Sequence, residues 1–336
     1  MSEPLRIVHI GAGNFSRANH SPCLQRLSAG PTPRVSMEAI CDLDESKAQA
    51  FCDDFGYKKA YTDIDEMMGQ VEPDVVYVMV HPRLAAGVLE RVLRYRLPTF
   101  TEKPPGVTVA ESIRLAELAQ ECGNVTYVGF NRRRTPVIEH LKSWAAGNGP
   151  VRYVRAEMIR NRRFETGFAI GTAIHPLDCL RYLCGNVVEL ETICKAYEGT
   201  PRDYLVRMRF DTGIMADLAV LVHAGLSRER YMVHVAGGLM EATPGGYCSS
   251  DFCDLGQKAY SGNQVVAEGP FEDDLHIGLG FMGEHLAFLE AATSGMRPDC
   301  CLQDGQHSVK LGVAVQEGYS GPMASFEPSE PDPYAT

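Results

Sequence analysis

The chain has 336 residues, 32 Lys and Arg against 43 Asp and Glu for a net charge of −11, and is 45% hydrophobic and 22% charged. This is ordinary globular composition; it excludes a disordered chain, a fibrous repeat and a bare coiled coil, and the length suits two domains of about 150 residues. Acidity on this scale repels nucleic acid and anionic lipid, so neither is expected as a partner.

From the N-terminus, Leu5–Ile10 is a short apolar run ending at Gly11-Ala12-Gly13, and residues 16–29 carry a helical pattern with Leu24 and Leu27. Arg34–Ile40 alternates as a second strand, and Ser46–Phe55 reads as a helix closed by Gly56. A short helix at 63–68 precedes a buried strand at 74–80; a helix at 84–94, a strand at 98–101, a helix at 107–122 and a strand at 125–130 follow. That alternation predicts a doubly wound, mostly parallel sheet, a Rossmann-type domain over residues 1–130. Beyond it, strands at 151–159, 187–197, 204–210, 214–222 and 230–236 succeed one another, broken by helices near 175–184, 282–294 and 304–318. Residues 131–321 are therefore expected to form an α+β domain with a large, largely antiparallel open sheet. Residues 322–336, rich in Pro, Ser and Glu, read as an extended or disordered tail.

The longest apolar runs, such as Val75–Val80, are strand-sized, far below the ~20 residues of a membrane helix. Met1–Arg6 runs straight into a strand without a signal-peptide pattern, and the 11 cysteines include no Cys-x-x-Cys with a matching Cys or His pair. A cytoplasmic protein with reduced thiols and no metal is the expectation.

Gly11-Ala12-Gly13-Asn14-Phe15-Ser16 is a G-x-G-x-x-S turn between a strand and a helix. The first glycine permits the tight turn, the second lets a pyrophosphate approach the helix N-terminus, and Ser16 occupies the third, close-packing position. Asp42 ends the second strand, where a carboxylate accepts both adenosine ribose hydroxyls and repels the extra phosphate of NADP. NAD is the expected cofactor, with NADP disfavoured. Thr101-Glu102-Lys103-Pro104-Pro105 follows a strand on the carboxyl side of the sheet, where open α/β sheets bind ligands, and its proline pair stiffens the turn.

Residues 7–13, 40–44, 74–82 and 101–105 together resemble the glucose–fructose oxidoreductase / inositol dehydrogenase (Gfo/Idh/MocA) family. So do Gly129-Phe130-Asn131-Arg132-Arg133-Arg134-Thr135-Pro136, the segment Gly171–Asp178 around His175, and the stretch from Gly283 to Pro298. The resemblance implies NAD(P)-dependent oxidation or reduction of a sugar, polyol or cyclitol, and a second domain whose sheet mediates a homodimer or homotetramer. Carried over by position, Lys103 is the active-site lysine and His175 the catalytic histidine, while His81, Pro82, Glu102 and Lys103 join Gly11–Ser16 and Asp42 around the cofactor. Two departures stand out: Gly171 replaces the usual Asp four residues before the histidine, and Ala86 stands where a histidine often follows His81-Pro82.

The chemistry agrees. Hydride transfer from an alcohol needs a base for the hydroxyl proton, which a neutral histidine supplies, and an ammonium to polarise the oxygen. His175 precedes an apolar helical pattern and is placed at that helix's N-terminus. Arg132–Arg134 and Arg160–Arg163 form two clusters that either select an acidic or phosphorylated sugar, with Arg132 and Arg162 as substrate residues, or make a solvated or salt-bridged set. Asp178, one turn after His175, is a further substrate-side residue that orients the histidine or the nicotinamide side, or is a helix-surface carboxylate. His20, His223, His234, His276, His285 and His307 show no partner spacing and are assigned no role. Competing readings are an NAD-retaining glycoside-cleaving enzyme and a non-catalytic dinucleotide sensor, the latter favoured by Gly171.

Overall fold

The computed structural model describes residues 3–197, 202–244, 256–261, 264–268 and 274–329. The chain opens with β1 (Leu5–Ile10), a tight helical turn (Ser16–His20) and α1 (Ser21–Ser28), then β2 (Val35–Cys41), α2 (Glu45–Phe55), β3 (Lys59–Tyr61), α3 (Ile64–Val71) and β4 (Val75–Val78). It continues through α4 (Pro82–Leu93), β5 (Thr99–Glu102), α5 (Val109–Cys122) and β6 (Thr126–Gly129). The six strands form one parallel sheet in the order β3-β2-β1-β4-β5-β6. Central β4 is buried at every residue, as a strand covered on both faces must be. Gly56 closes α2 at φ 85°, and Thr108 with Glu111 makes a capping box on α5.

The second series is α6 (Pro136–Gly147), β7 (Tyr153–Ile159), α7 (Ile174–Cys184), β8 (Val187–Ala196), β9 (Arg202–Phe210), β10 (Met215–Leu221), β11 (Arg228–Val235) and β12 (Gly238–Thr243). After it come β13 (Gly256–Ser261), β14 (Gln264–Glu268), α8 (Leu275–Gly278), α9 (Phe281–Ser294), α10 (Leu302–Gln316) and β15 (Gly321–Pro322). Nine strands form a mixed sheet, β14-β13-β12-β11-β7-β10-β9-β8-β15, antiparallel throughout except between β7 and β10. Along β9 buried and exposed residues alternate strictly from Tyr204 to Phe210, so the sheet has one packed and one open face. The α/β class and the two sheets are as the sequence predicts. Helix α6 and strands β3 and β12–β14 were not expected.

The chain divides into two compact units, Met1–Gly129 with Phe281–Gln306, and Phe130–Gly280 with His307–Thr336. The first takes in a segment that the sequence boundary near residue 130 had left in the second domain. Helix α9 accounts for this: it packs on β6, α1 and the Ser16–His20 turn, with Phe281, Phe288 and Leu289 buried. Part of the expected tail is also docked. Gly321–Pro322 pairs with β8, and Met323 and Phe326 are buried; residues 330–336 lie outside the described residues.

Candidate active-site elements in each unit

In the first unit, four strand ends line up along the carboxyl edge of the sheet in the order β2, β1, β4, β5, three strand spacings or roughly 14 Å across. They carry Asp42, the Gly11–Ser16 turn, His81-Pro82 and Glu102-Lys103. The strand order reverses between β1 and β4, the position where open α/β sheets form a ligand crevice. Gly11 sits there at φ 103°, and a Cβ on it would lie 2.4 Å from the Met79 carbonyl oxygen. Only glycine fits. Gly13 is exposed, and a Cβ on it would meet nothing within 4 Å, so the backbone is open to close approach. Asn14 and Phe15 are also exposed at the start of the helical run, whose first amides suit an anion. Ala12 is buried. Ser16 is buried too: its hydroxyl lies 3.0 Å from His9 Nε2, while Tyr57 OH is 2.6 Å from His9 Nδ1. The serine in the third glycine position thus ties the turn to β1. Burial leaves His9 neutral, its pKa lowered to about 3, with His20 adding to the effect.

Asp42 is half-buried and oriented by backbone: Oδ2 accepts from Ala12 N at 2.7 Å and Oδ1 from Asp44 N at 3.0 Å. Carboxylate oxygens have spare lone pairs, which leaves acceptor capacity for a diol. The residues after it are Leu43, 90% exposed, and Asp44, a second carboxylate that caps α2. His81 is exposed at the N-terminus of α4, where its Nδ1 accepts from Arg83 N, and Pro82 is the first helical residue. Lys103 is half-buried in the turn after β5, and its bond to Pro104 is cis. The preceding Glu102 is fixed at both oxygens: Oε2 accepts from Lys103 N at 3.2 Å and Oε1 from His20 Nε2 at 2.9 Å. The turn and acidic residue found from sequence therefore fit a dinucleotide on geometry as well as by pattern.

The second unit carries His175, 6% exposed. Its helix begins earlier than expected, because Ala169–Ala173 forms a wide helical turn that runs directly into α7. His175 consequently lies inside the helical run, and the favourable helix end, which acts only over the first turn, falls near Phe168 instead. Gly171 belongs to that wide turn, its N–H bonded to Gly167 O at 2.8 Å.

Two of the three expected substrate residues are committed elsewhere. Arg132 is 1% exposed and donates to Glu229 through Nε and Nη2 at 3.1–3.2 Å; Arg160 donates to the same carboxylate at 3.0 Å and Tyr231 OH at 2.7 Å. Burial raises the pKa of Glu229, but the two guanidiniums outweigh it and hold the carboxyl below its ordinary range. Asp178, fully buried, accepts a bidentate pair from Arg133 at 2.7 and 2.6 Å and a 2.6 Å bond from Ser308. Arg132 and Asp178 are core ion pairs, and reading them as substrate ligands is corrected accordingly. Arg162 is exposed, at φ 56°. The salt-bridged alternative holds for Arg132, Arg133 and Arg160.

The sequence reading passed over His20, Glu284 and His285, all fully buried in the first unit beside Glu102. His20 and His285 are 265 positions apart, so no local spacing reveals them. Among the described residues no helix is long and apolar enough to cross a membrane.

Residues 5–130 match the sequence model of the Gfo/Idh/MocA oxidoreductase family, NAD-binding Rossmann fold. The chain is 26% identical over 200 residues to the D-glucoside 3-dehydrogenase of Escherichia coli, 55% of each protein. It is 26% identical over 161 residues to the myo-inositol 2-dehydrogenase of Thermotoga maritima, 45% of this chain and 48% of the relative. The matched stretch thus spans about half the length of these curated relatives. Among solved structures, a UDP-N-acetylglucosamine 3-dehydrogenase from Acidithiobacillus ferrooxidans superposes with TM-score 0.80 at 20% identity, covering 95% of this chain and 98% of that one. A Gfo/Idh/MocA oxidoreductase from Vibrio cholerae gives 0.79 at 20% identity, covering 93% and 97%, which shows a shared fold over nearly the whole length. With the glycine turn at the switch point and the match over residues 5–130, that stretch of the chain is an NAD-binding Rossmann domain of the Gfo/Idh/MocA oxidoreductase family.

Proposed function

We propose that the protein is an NAD-dependent dehydrogenase acting on a ring hydroxyl of a sugar or cyclitol. The observation that carries this reading is the row of strand ends at the switch point, with Gly11 unable to bear a Cβ and Lys103 and Asp42 at either end of the row. The names of the relatives, dehydrogenases of a glucoside and of an inositol, support the substrate class.

Bound NAD supplies the hydride acceptor. The Gly13–Ser16 amides hold the pyrophosphate, and Asp42 accepts from the adenosine ribose hydroxyls. Two carboxylates at 42 and 44 oppose a 2′-phosphate, which is the reason for preferring NAD over NADP. His175 takes the hydroxyl proton as hydride leaves, and the Lys103 ammonium stabilises the oxygen as negative charge builds on it. Exposed Arg162 is left as a substrate contact. The open face of the second sheet is assigned to self-association, because Ile193 and Leu205, cross-strand partners on β8 and β9, are 60% and 50% exposed.

The test is reduced-nicotinamide absorbance with a panel of sugars and cyclitols. Turnover is expected on at least one, with Lys103→Ala and His175→Ala each lowering it about a hundredfold or more. Asp42→Ala should weaken NAD far more than NADP. Release of an aryl leaving group without net NADH would favour the glycoside-cleaving alternative, and dinucleotide binding with no turnover the sensor. Wild-type rates in both Lys103 and His175 variants would remove those residues from the mechanism.

A further inference from the structure

We propose that His20 is a positioning residue for Lys103, acting through Glu102; the catalytic role of the lysine rests on the function proposed above, but the coupling between these side chains does not. His20 closes the helical turn that begins at the glycine loop and is fully buried. An ionised carboxylate only accepts, so the 2.9 Å contact to Glu102 Oε1 requires His20 Nε2 to carry a proton and donate. His20 Nδ1 lies 3.2 Å from His285 Nε2 and 3.8 Å from Glu284 Oε1, both on α9. With a neutral ring Nδ1 accepts from His285; with a charged ring it faces the Glu284 carboxylate. In both states Nε2–H points at Glu102.

The other oxygen of Glu102 takes the backbone N–H of Lys103, so the carboxylate bridges the histidine to the lysine turn. The groups around His20 leave it little freedom: Phe15 lies on its own turn, Phe100 on β5 and Phe281 with His285 on α9, at ring separations of 5.2–5.8 Å. Gly129 on β6 completes the seat, since a Cβ there would lie 2.6 Å from Glu102 Oε1. His20, Glu102 and Glu284 also bring ligand atoms within 4.8 Å of one another. A single ion is disfavoured, because Glu102 faces one ring nitrogen and Glu284 the other. The turn that receives the cofactor phosphates and the turn that carries the lysine thus share one buried imidazole.

The experiment uses the full-length protein with its lysines ¹³C-methylated, the Lys103 signal being assigned by its absence from Lys103→Arg. His20→Leu is expected to shift that signal and its titration midpoint, and His20→Gln, whose amide donates in place of Nε2, to restore both. If a substrate is turned over, His20→Leu should lower kcat about ten- to a hundredfold, the loss expected for a charge-assisted hydrogen bond, with KM little changed. Gly129→Ala attacks the same carboxylate from the opposite side and should shift the Lys103 signal even if the leucine variant fails to fold. An unmoved Lys103 titration in either folded variant overturns the proposal. So does a stoichiometric metal in the purified protein that His20→Gln abolishes. Absence of turnover on every substrate would count against the dehydrogenase reading while leaving this readout intact.

Discussion

Each unit buries carboxylates deep in its interior, and the two answer the electrostatic problem differently. In the second unit Glu229 is held by two guanidiniums and a phenol, and Asp178 by Arg133 and Ser308. Guanidiniums keep their charge at every accessible pH, so these are permanent struts. In the first unit Glu102 and Glu284 both face His20, an imidazole that meets His285 through its other ring nitrogen. His9, in the same unit, is buried neutral. The guanidinium pairs stand behind the second sheet; the imidazole stands beside a lysine and a cofactor turn.

The largest test of this contrast is Glu229→Ala, which strands Arg132 and Arg160 without their carboxylate. Urea unfolding should register a loss of about 3–5 kcal/mol, and a loss near zero would break the view of Glu229 as a strut. A smaller effect separates the units by acidity. His9 has its pKa lowered from 6.5 to about 3 in the folded state, so the unfolded chain takes up the proton first as pH falls. Its contribution is complete above pH 6.5 and erodes by about 1.4 kcal/mol per pH unit between there and pH 3. Glu229 is also lowered, but from 4.5, so its contribution persists until pH falls below that value. Hydrogen exchange at pH 5 against pH 7 should therefore show β1 and β4 losing protection before β7 and β11, and His9→Asn should flatten the difference. Equal loss in both sheets would contradict the contrast. The smallest effect concerns the open sheet face: Leu205→Glu should change stability by no more than about 0.5 kcal/mol while lowering the sedimenting mass. A monomeric unmodified protein would withdraw the self-association reading.

Much of the first unit was legible in sequence because its determinants are local. Gly11 follows its strand directly, Asp42 ends the next, and Glu102-Lys103 ends a third; strand period and glycine punctuation suffice to place them. The second sheet was legible as a series of alternating strands, but β12–β14 and α6 were missed. The arginine run left two readings open for a physical reason. Charge in sequence suggests an exposed ligand set, but the turn at Asn131–Arg134 points Arg132 inward to a carboxylate 97 positions away and Arg133 to one 45 away. Partners at such separations leave no spacing to read. The helix end expected at His175 was displaced because apolar residues preceding it, Phe168 to Ala173, extend the helical run.

The membership of α9 in the nucleotide-binding unit has a consequence for how the chain is made. A fragment ending at residue 130 has all six parallel strands but lacks the helix that covers β6 and supplies the partners of His20. During synthesis that unit cannot close until the ribosome has passed Gln306, so its aromatic side chains wait for most of the polypeptide to emerge. Recombination or truncation at the apparent domain boundary would leave Phe100 and Tyr77 without the Phe288 they pack against, and such fragments should aggregate on expression.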